Sequence, residues 1–95
     1  MNHFGEKLRK LRETKGLLLR QVAASIEVDT AFLSKMERGE RKPKREQVMK
    51  LSELLKADSK ELLSLWIADR ILEVITDTDA GIRALEIAKK DIIKK

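Results

Sequence analysis

The sequence has no cysteine, which excludes disulfide bridges, zinc–thiolate sites and cysteine nucleophiles. Its only histidine is His3, so no second imidazole exists to complete a metal site or a catalytic triad. Glycine-rich phosphate loops and dinucleotide-binding fingerprints are also missing. We therefore expect no metal, no cofactor and no catalytic residue, and we expect that this protein is not an enzyme.

Long apolar runs are missing as well. The longest apolar stretch, residues 62–68, is interrupted by Ser64 and is far shorter than the roughly 20 residues that span a bilayer. The N-terminal residues alternate between charged and apolar side chains and contain no secretory core. These features predict a protein that makes no membrane contact and stays in the cytoplasm.

Helix breakers are few, since Pro43 is the only proline, glycines number four, and tyrosine is absent. Apolar residues recur at spacings of three and four and do not alternate with period two, which predicts an all-α fold. Gly16 and Gly39 are expected to end the first and third helices. The predicted helices cover about 5–15, 19–26, 29–38 and 45–55, with a fifth starting at Asp58 and a sixth after 76–79.

The positive charge is unevenly distributed along the chain, which has a net charge of +5. Residues 1–57 contain 14 Lys/Arg and 8 Asp/Glu, a difference of +6. Residues 58–95 contain 7 and 8, a difference of −1. This asymmetry predicts a polyanion-binding domain over 1–57, joined to a helical extension over 58–95 with another role.

The most informative segment is residues 22–39, V-A-A-S-I-E-V-D-T-A-F-L-S-K-M-E-R-G. Two short helices meet at a tight turn around Glu27 and Val28, and Asp29 is a good N-cap for the second helix. This arrangement is typical of a helix-turn-helix motif, whose second helix enters the major groove of DNA.

Residues from about Phe4 to Leu55 resemble the lambda-repressor-like (Cro-like, XRE) helix-turn-helix family. The resemblance rests on Arg12, V-A at 22–23, Val28, Leu33, E-R-G at 37–39, Pro43 and the apolar pair Leu54–Leu55. It implies a lambda-repressor-like helical bundle and a sequence-specific transcriptional regulator, in the first instance a repressor. The chain departs from the family at Leu18 and Leu19, where the family has a Ser/Thr cap and a glutamine that grips DNA.

The resemblance also implies which side chains contact double-stranded DNA. Thr30, Ala31 and Phe32 open the recognition helix and, with Lys35 one turn later, are expected to point outward and read base edges. Arg12 and Glu37 are expected to form a buried ion pair between helices. The residues expected to bind phosphates are Arg20, Arg38, Arg41, Lys42, Lys44 and Arg45.

The fifth predicted helix carries apolar residues on too many sides for a one-sided surface helix, so we expect it to be buried on two sides. The two C-terminal helices are predicted to make a homodimer that binds a two-fold-symmetric operator, with recognition helices about 34 Å apart. The expected dimer contacts are Leu63, Trp66, Ile67, Ile71, Ile82 and Leu85.

A second hypothesis is a protein-interaction or antitoxin-like adaptor whose DNA binding is weak or lost. Leu18, Leu19 and the apolar C-terminal half favour it, and a toxin or another regulator would be its partner protein. The confinement of the positive excess to residues 1–57 favours the DNA-binding regulator instead.

Overall fold

The computed structural model describes residues 2–95, and over this range it contains six helices and no strand. The helices are α1 (His3–Thr14), α2 (Leu19–Ser25), α3 (Thr30–Glu37), α4 (Arg45–Leu54), α5 (Ser59–Val74) and α6 (Thr78–Lys94). The all-α fold and every predicted helix are thus confirmed. No helix within residues 2–95 is long and apolar enough to cross a membrane.

The first four helices end with the same local geometry. The second residue after each of these helices has a positive φ: Gly16 (66°), Glu27 (60°), Gly39 (80°) and Lys56 (52°). The next N–H in the chain then bonds to the carbonyl five residues earlier, at distances of 2.8–3.0 Å. These bonds satisfy carbonyls that a helix end would otherwise leave free, so the chain can turn sharply.

The core is a single cluster built from α1 to α5. Its buried apolar side chains are Phe4, Leu8, Val22, Ala23, Ile26, Leu33, Met36, Val48, Leu51, Leu55 and Leu62. Leu62 of α5 is fully buried in this cluster, so the packing of the N-terminal bundle continues past residue 57. The division of roles at residue 57 stays a prediction about function, because α5 is packed as part of the bundle.

The predicted ion pair between Arg12 and Glu37 is present and largely buried. The Arg12 Nε atom lies 2.7 Å from Oε2 of Glu37, and Nη2 lies 3.1 Å from Oε1. A third donor, Nη1, bonds to the carbonyl of Leu17 at 2.9 Å. Hydrogen bonding to Glu37 raises the pKa of Arg12 above its ordinary value. The pair ties α1 to the last residue of α3.

The last helix, α6, extends away from the bundle. All residues from 82 to 95 are exposed, and the close contact with α5 is at the start of α6. There Gly81 is buried, and a Cβ atom at this position would collide with the side chain of Ile75. A glycine is therefore required where the two helices join.

We predict that Leu62→Ala lowers the free energy of unfolding by about 2–5 kcal/mol, because it leaves a cavity in the shared core. The measurement is urea unfolding followed by circular dichroism. Leu72→Ala, also on α5 but 42% exposed, is the control and should cost less than about 1 kcal/mol. Equal effects of the two substitutions would contradict the packing of α5 into the core.

Candidate nucleic-acid interface

The helix α3 has one face buried and another exposed. Asp29 is its N-cap, as predicted, with Oδ1 accepting a hydrogen bond from the Phe32 N–H at 2.6 Å. Leu33, Met36 and Glu37 are buried and fix the inward face. The short α3 is therefore oriented by side chains along its whole length.

Three of the four predicted base-reading side chains lie on the exposed face of α3, namely Thr30, Ala31 and Lys35. The fourth, Phe32, does not point fully outward as expected, because its side chain is half-buried and packs against the core; its contact with a base stays a prediction. Phe32 and Met36 are four residues apart, so the ring lies on the same helical ridge as a core residue. Only part of the Phe32 ring can face a ligand.

The start of α2 contains Leu18 and Leu19, the two positions at which the chain departs from the family pattern. Leu18 occupies the N-cap position, and its backbone N–H donates to Oε1 of Gln21 at 2.8 Å. Gln21, at the third helical position, thus makes one of the two bonds of a capping box, in which its side chain accepts from the N-cap N–H, while the leucine side chain offers no acceptor for the other. The glutamine three residues after the cap is the sequence signal that identifies this cap. Leu19 packs against the core, whereas Leu18 and Arg20 are exposed.

The predicted phosphate-binding residues fall into two groups. Within residues 2–95, no ion pair involves the first group, whose side chains are exposed: Arg20, Arg41, Lys44 and Arg45. The second group is paired with carboxylates: Arg38 with Glu40 at 2.6 Å, and Lys42 with Glu73 of α5. Both side chains of the Arg38–Glu40 pair are exposed, so the pair contributes only about 0–1 kcal/mol to the free energy of unfolding. Lys42 is the more restrained cation, since only a third of its side chain is exposed.

The segment between α3 and α4, residues 40–44, is referred to here as the basic loop, and α5 holds it in place. The indole Nε1 of Trp66 donates to the carbonyl of Pro43 at 2.9 Å, and Pro43 is buried. The guanidinium of Arg70 lies 4.3 Å above the centre of the Trp66 ring. At the other end, the Lys44 N–H donates to Oε1 of Gln47 at 2.8 Å, which caps α4. The backbone that carries the exposed cations is therefore fixed.

This geometry changes the interpretation of two predicted dimer contacts. Trp66 and Leu63 are half-buried and pack against the core of their own chain, so much of their surface is already covered. Sequence pattern alone could not reveal this, because α5 is apolar on both sides. The other predicted contacts remain wholly or partly accessible: Ile67, Ile71, Ile82 and Leu85.

A nearly apolar groove of about 340 Å³ lies where α5 and α6 diverge, and we call it the α5–α6 groove. Ile71 and Leu85 line it from opposite helices. The remaining lining residues are Arg70, Val74, Ile75, Gly81, Ala84 and Ala88.

A helical bundle with an exposed second helix after a tight turn, followed by a basic loop, defines a helix-turn-helix DNA-binding domain. Residues 3–66 match the family described as "Helix-turn-helix domain". The chain belongs to this family of transcriptional regulators, and the resemblance seen in the sequence is confirmed.

Two curated relatives come from Bacillus subtilis (strain 168). The HTH-type transcriptional repressor RghR is 44% identical over 57 residues, which is 59% of this chain and 42% of the relative. The uncharacterized HTH-type transcriptional regulator RghRB is 35% identical over 65 residues, which is 67% of this chain and 47% of the relative. The matched region thus spans less than half the length of each relative.

Solved structures show the same fold. The restriction-modification controller protein C.AhdI from Aeromonas hydrophila aligns with a TM-score of 0.59 at 33% identity, covering 64% of this chain and 88% of that one. The clp gene regulator ClgR from Corynebacterium glutamicum aligns with a TM-score of 0.62 at 27% identity, covering 98% and 85%. The alignment with ClgR therefore reaches α6.

The two groups of cations predict different salt dependences of DNA binding. Arg41→Ala should reduce the slope of log K against log salt by about 0.9, the value of one phosphate contact. Lys42→Ala should leave the slope nearly unchanged, because Lys42 is already paired with Glu73. Fluorescence anisotropy with a duplex at several salt concentrations measures both slopes, and equal reductions would show that the ion pair opens on DNA.

Proposed function

We propose that this protein is a sequence-specific regulator of transcription that binds a two-fold-symmetric operator as a homodimer. The kind of regulator that we propose is a repressor. The observation that carries the proposal is the exposed face of α3. Thr30, Ala31 and Lys35 lie on it, and the basic loop that follows carries the exposed side chain of Arg41. A binding role of this kind needs no catalytic group and operates where the DNA is, which we take to be the cytoplasm.

The chemistry of the exposed residues supports two roles, in which some side chains read base edges and others bind phosphates. Lys35 can donate to guanine O6 and N7, Thr30 can donate or accept, and the Ala31 methyl can contact a thymine methyl. The exposed cations around α3 match phosphates, which position a protein on DNA without reading its sequence. A helix of this width fits the major groove, which is about 12 Å wide.

A homodimer follows from the small size of the reading surface and from the apolar C-terminal arm. One short helix contacts too few base pairs for useful specificity. Two helices on two half-sites contact twice as many base pairs, which increases the specificity. The exposed apolar side chains of the arm include Ile67, Val74, Ile82 and Leu85. Contiguous apolar surface of this kind marks an interaction site. Under two-fold symmetry, the same apolar surface of a second copy would cover it.

The repressor role rests on similarity, since RghR is named as a transcriptional repressor. A protein-interaction adaptor is the second candidate, and the observation that favours it is Leu18, 48% exposed where the family has a polar cap. The two functions differ in their response to salt. Binding to DNA weakens steeply as salt rises, whereas an adaptor without DNA binding shows no such dependence on DNA.

The proposal is tested by selecting bound duplexes from a random pool with the full chain. We expect a symmetric motif whose half-sites lie about one helical turn apart, 10–10.5 base pairs centre to centre. A pool that shows no enriched sequence after several rounds would exclude sequence-specific binding. An enriched motif without symmetry would exclude the dimeric arrangement.

We predict that Lys35→Ala changes base preference at one position of each half-site, with a loss of about 1–3 kcal/mol for the preferred base. The measurement compares affinities for duplexes that differ from the selected operator at single base pairs. Lys60→Ala removes an exposed lysine of α5 and is the control, with no change in preference expected. Uniform weakening by Lys35→Ala at every position would assign Lys35 to a phosphate.

We predict that Leu85→Glu converts the dimer to a monomer, because it introduces a charge into the α5–α6 groove. Ile87→Glu is the matched control, since Ile87 is 64% exposed and does not line the groove. Analytical ultracentrifugation gives the mass of each variant. A dimer that tolerates Leu85→Glu would exclude the groove from the subunit contact.

A further inference from the structure

The helix α5 has two faces with different contacts. Leu62, Trp66, Asp69 and Glu73 follow one another at spacings of four, three and four, and they contact the core, the basic loop or the N-terminus. Residues 67, 71 and 74 lie on another side of the helix, by its periodicity. Two of them, at 71 and 74, line the α5–α6 groove. The helix that offers a surface to a second copy is thus also in contact with the DNA-binding unit.

Asp69 is the residue of α5 whose role is least expected from sequence. Its side chain is buried, with only 9% of the residue exposed, although it is a carboxylate. Oδ1 accepts a hydrogen bond from the His3 N–H at 3.0 Å, and Oδ2 accepts one from the Phe4 N–H at 2.9 Å. The first N–H groups of a helix have no partner within the helix, and a carboxylate is the strongest acceptor for them. Asp69 therefore fixes the beginning of α1 to α5.

The beginning of α1 is in turn bonded to the end of the recognition helix. Oδ1 of Asn2 accepts from the Gly5 N–H at 3.1 Å, and Nδ2 of Asn2 donates to the carbonyl of Glu37 at 2.7 Å. A Cβ atom at Gly5 would collide with both Asn2 and the Glu37 carbonyl, so the two helices are in direct contact here. Gly39, which follows α3, also packs against the Asn2 side chain.

We propose that Asp69 is a positioning residue for DNA recognition, which acts through α1 and Asn2 on the orientation of α3. The hydrogen bonds run from Asp69 to the His3 and Phe4 amides, and from Asn2 to Glu37 at the end of α3. This proposal rests on the proposed function, because it assigns to α5 both the subunit contact and the orientation of the reading helix. In a symmetric dimer, the orientation of α3 relative to α5, which is set through α1, would determine the distance between the two recognition helices.

A residue that only stabilises the fold would behave differently from a positioning residue. Loss of stability alone lowers the fraction of folded protein, and it weakens binding to every duplex by the same factor. Loss of position weakens binding to the operator and leaves binding to a scrambled duplex intact, because phosphate contacts tolerate small shifts. The ratio of the two affinities, measured well below the unfolding temperature, separates the two roles.

The test compares Asp69→Asn with Glu86→Gln. Both substitutions remove one negative charge, and Glu86 is an exposed residue of α6, so the change in net charge is the same in the two variants. The duplexes are the operator obtained by random-pool selection and a scrambled sequence of the same composition. We expect Asp69→Asn to reduce the operator-to-scrambled affinity ratio about tenfold, with the sedimentation mass unchanged. Glu86→Gln should keep the wild-type ratio.

An unchanged ratio for Asp69→Asn would overturn the inference while leaving the proposed function intact. A wild-type protein that does not prefer its selected duplex would overturn the proposed function itself, so the two failures are distinguishable. Asn2→Asp provides a second route, because it keeps the acceptor for Gly5 and loses the donor to Glu37. We expect the same fall in the ratio, and no further fall in the double variant, since both residues belong to one series of bonds. Losses that multiply would show that Asp69 and Asn2 act independently and would overturn the proposal.

Discussion

The buried ion pair between Arg12 and Glu37 is the interaction on which the arrangement of the reading surface depends. Removing one partner of such a pair leaves an uncompensated charge inside the protein and costs about 3–5 kcal/mol. Because Arg12 belongs to α1 and Glu37 ends α3, these helices cannot rotate independently. Glu37 is held twice, by its carboxylate through Arg12 and by its carbonyl through Asn2. The opposite, exposed face of α3 is oriented as a consequence.

The distribution of ion pairs determines which cations remain available for DNA. Glu37 pairs inside the bundle with Arg12, and Glu73 of α5 pairs with Lys42. These two carboxylates thus pair with cations that are partly or largely buried, whereas the exposed Arg41 has no ion pair within residues 2–95. Residues 1–57, which include the helix-turn-helix, have a net charge of +6. Such a field attracts a polyanion before any base contact forms.

Much of the fold could be predicted from the sequence, because helix periodicity and caps are local. The six helices, the Asp29 cap and the Gly16 and Gly39 ends required only residues a few positions apart. The contacts of Trp66 and Asp69 could not be predicted, since each depends on a partner distant in the chain. Trp66 and Pro43 are 23 residues apart, and Asp69 lies 65 residues from Phe4. Periodicity indicates that a side of α5 is buried, but it does not indicate what covers that side.

The arm formed by α6 carries apolar side chains that the rest of the described chain leaves exposed. The stability of a helix in a protein comes mostly from the packing of its apolar face and less from its intrinsic propensity. Acidic residues at the start of α6 and lysines at its end stabilise it through the helix dipole, by about 0.3–1 kcal/mol each. In the homodimer proposed above, the larger gain would come from burying the apolar side chains of α6 against a second copy. Since α5 is bonded to both the start of α1 and the basic loop, the proposed subunit contact would be linked through α5 to the orientation of α3. On this proposal, operator spacing and subunit contact would both depend on how α5 packs.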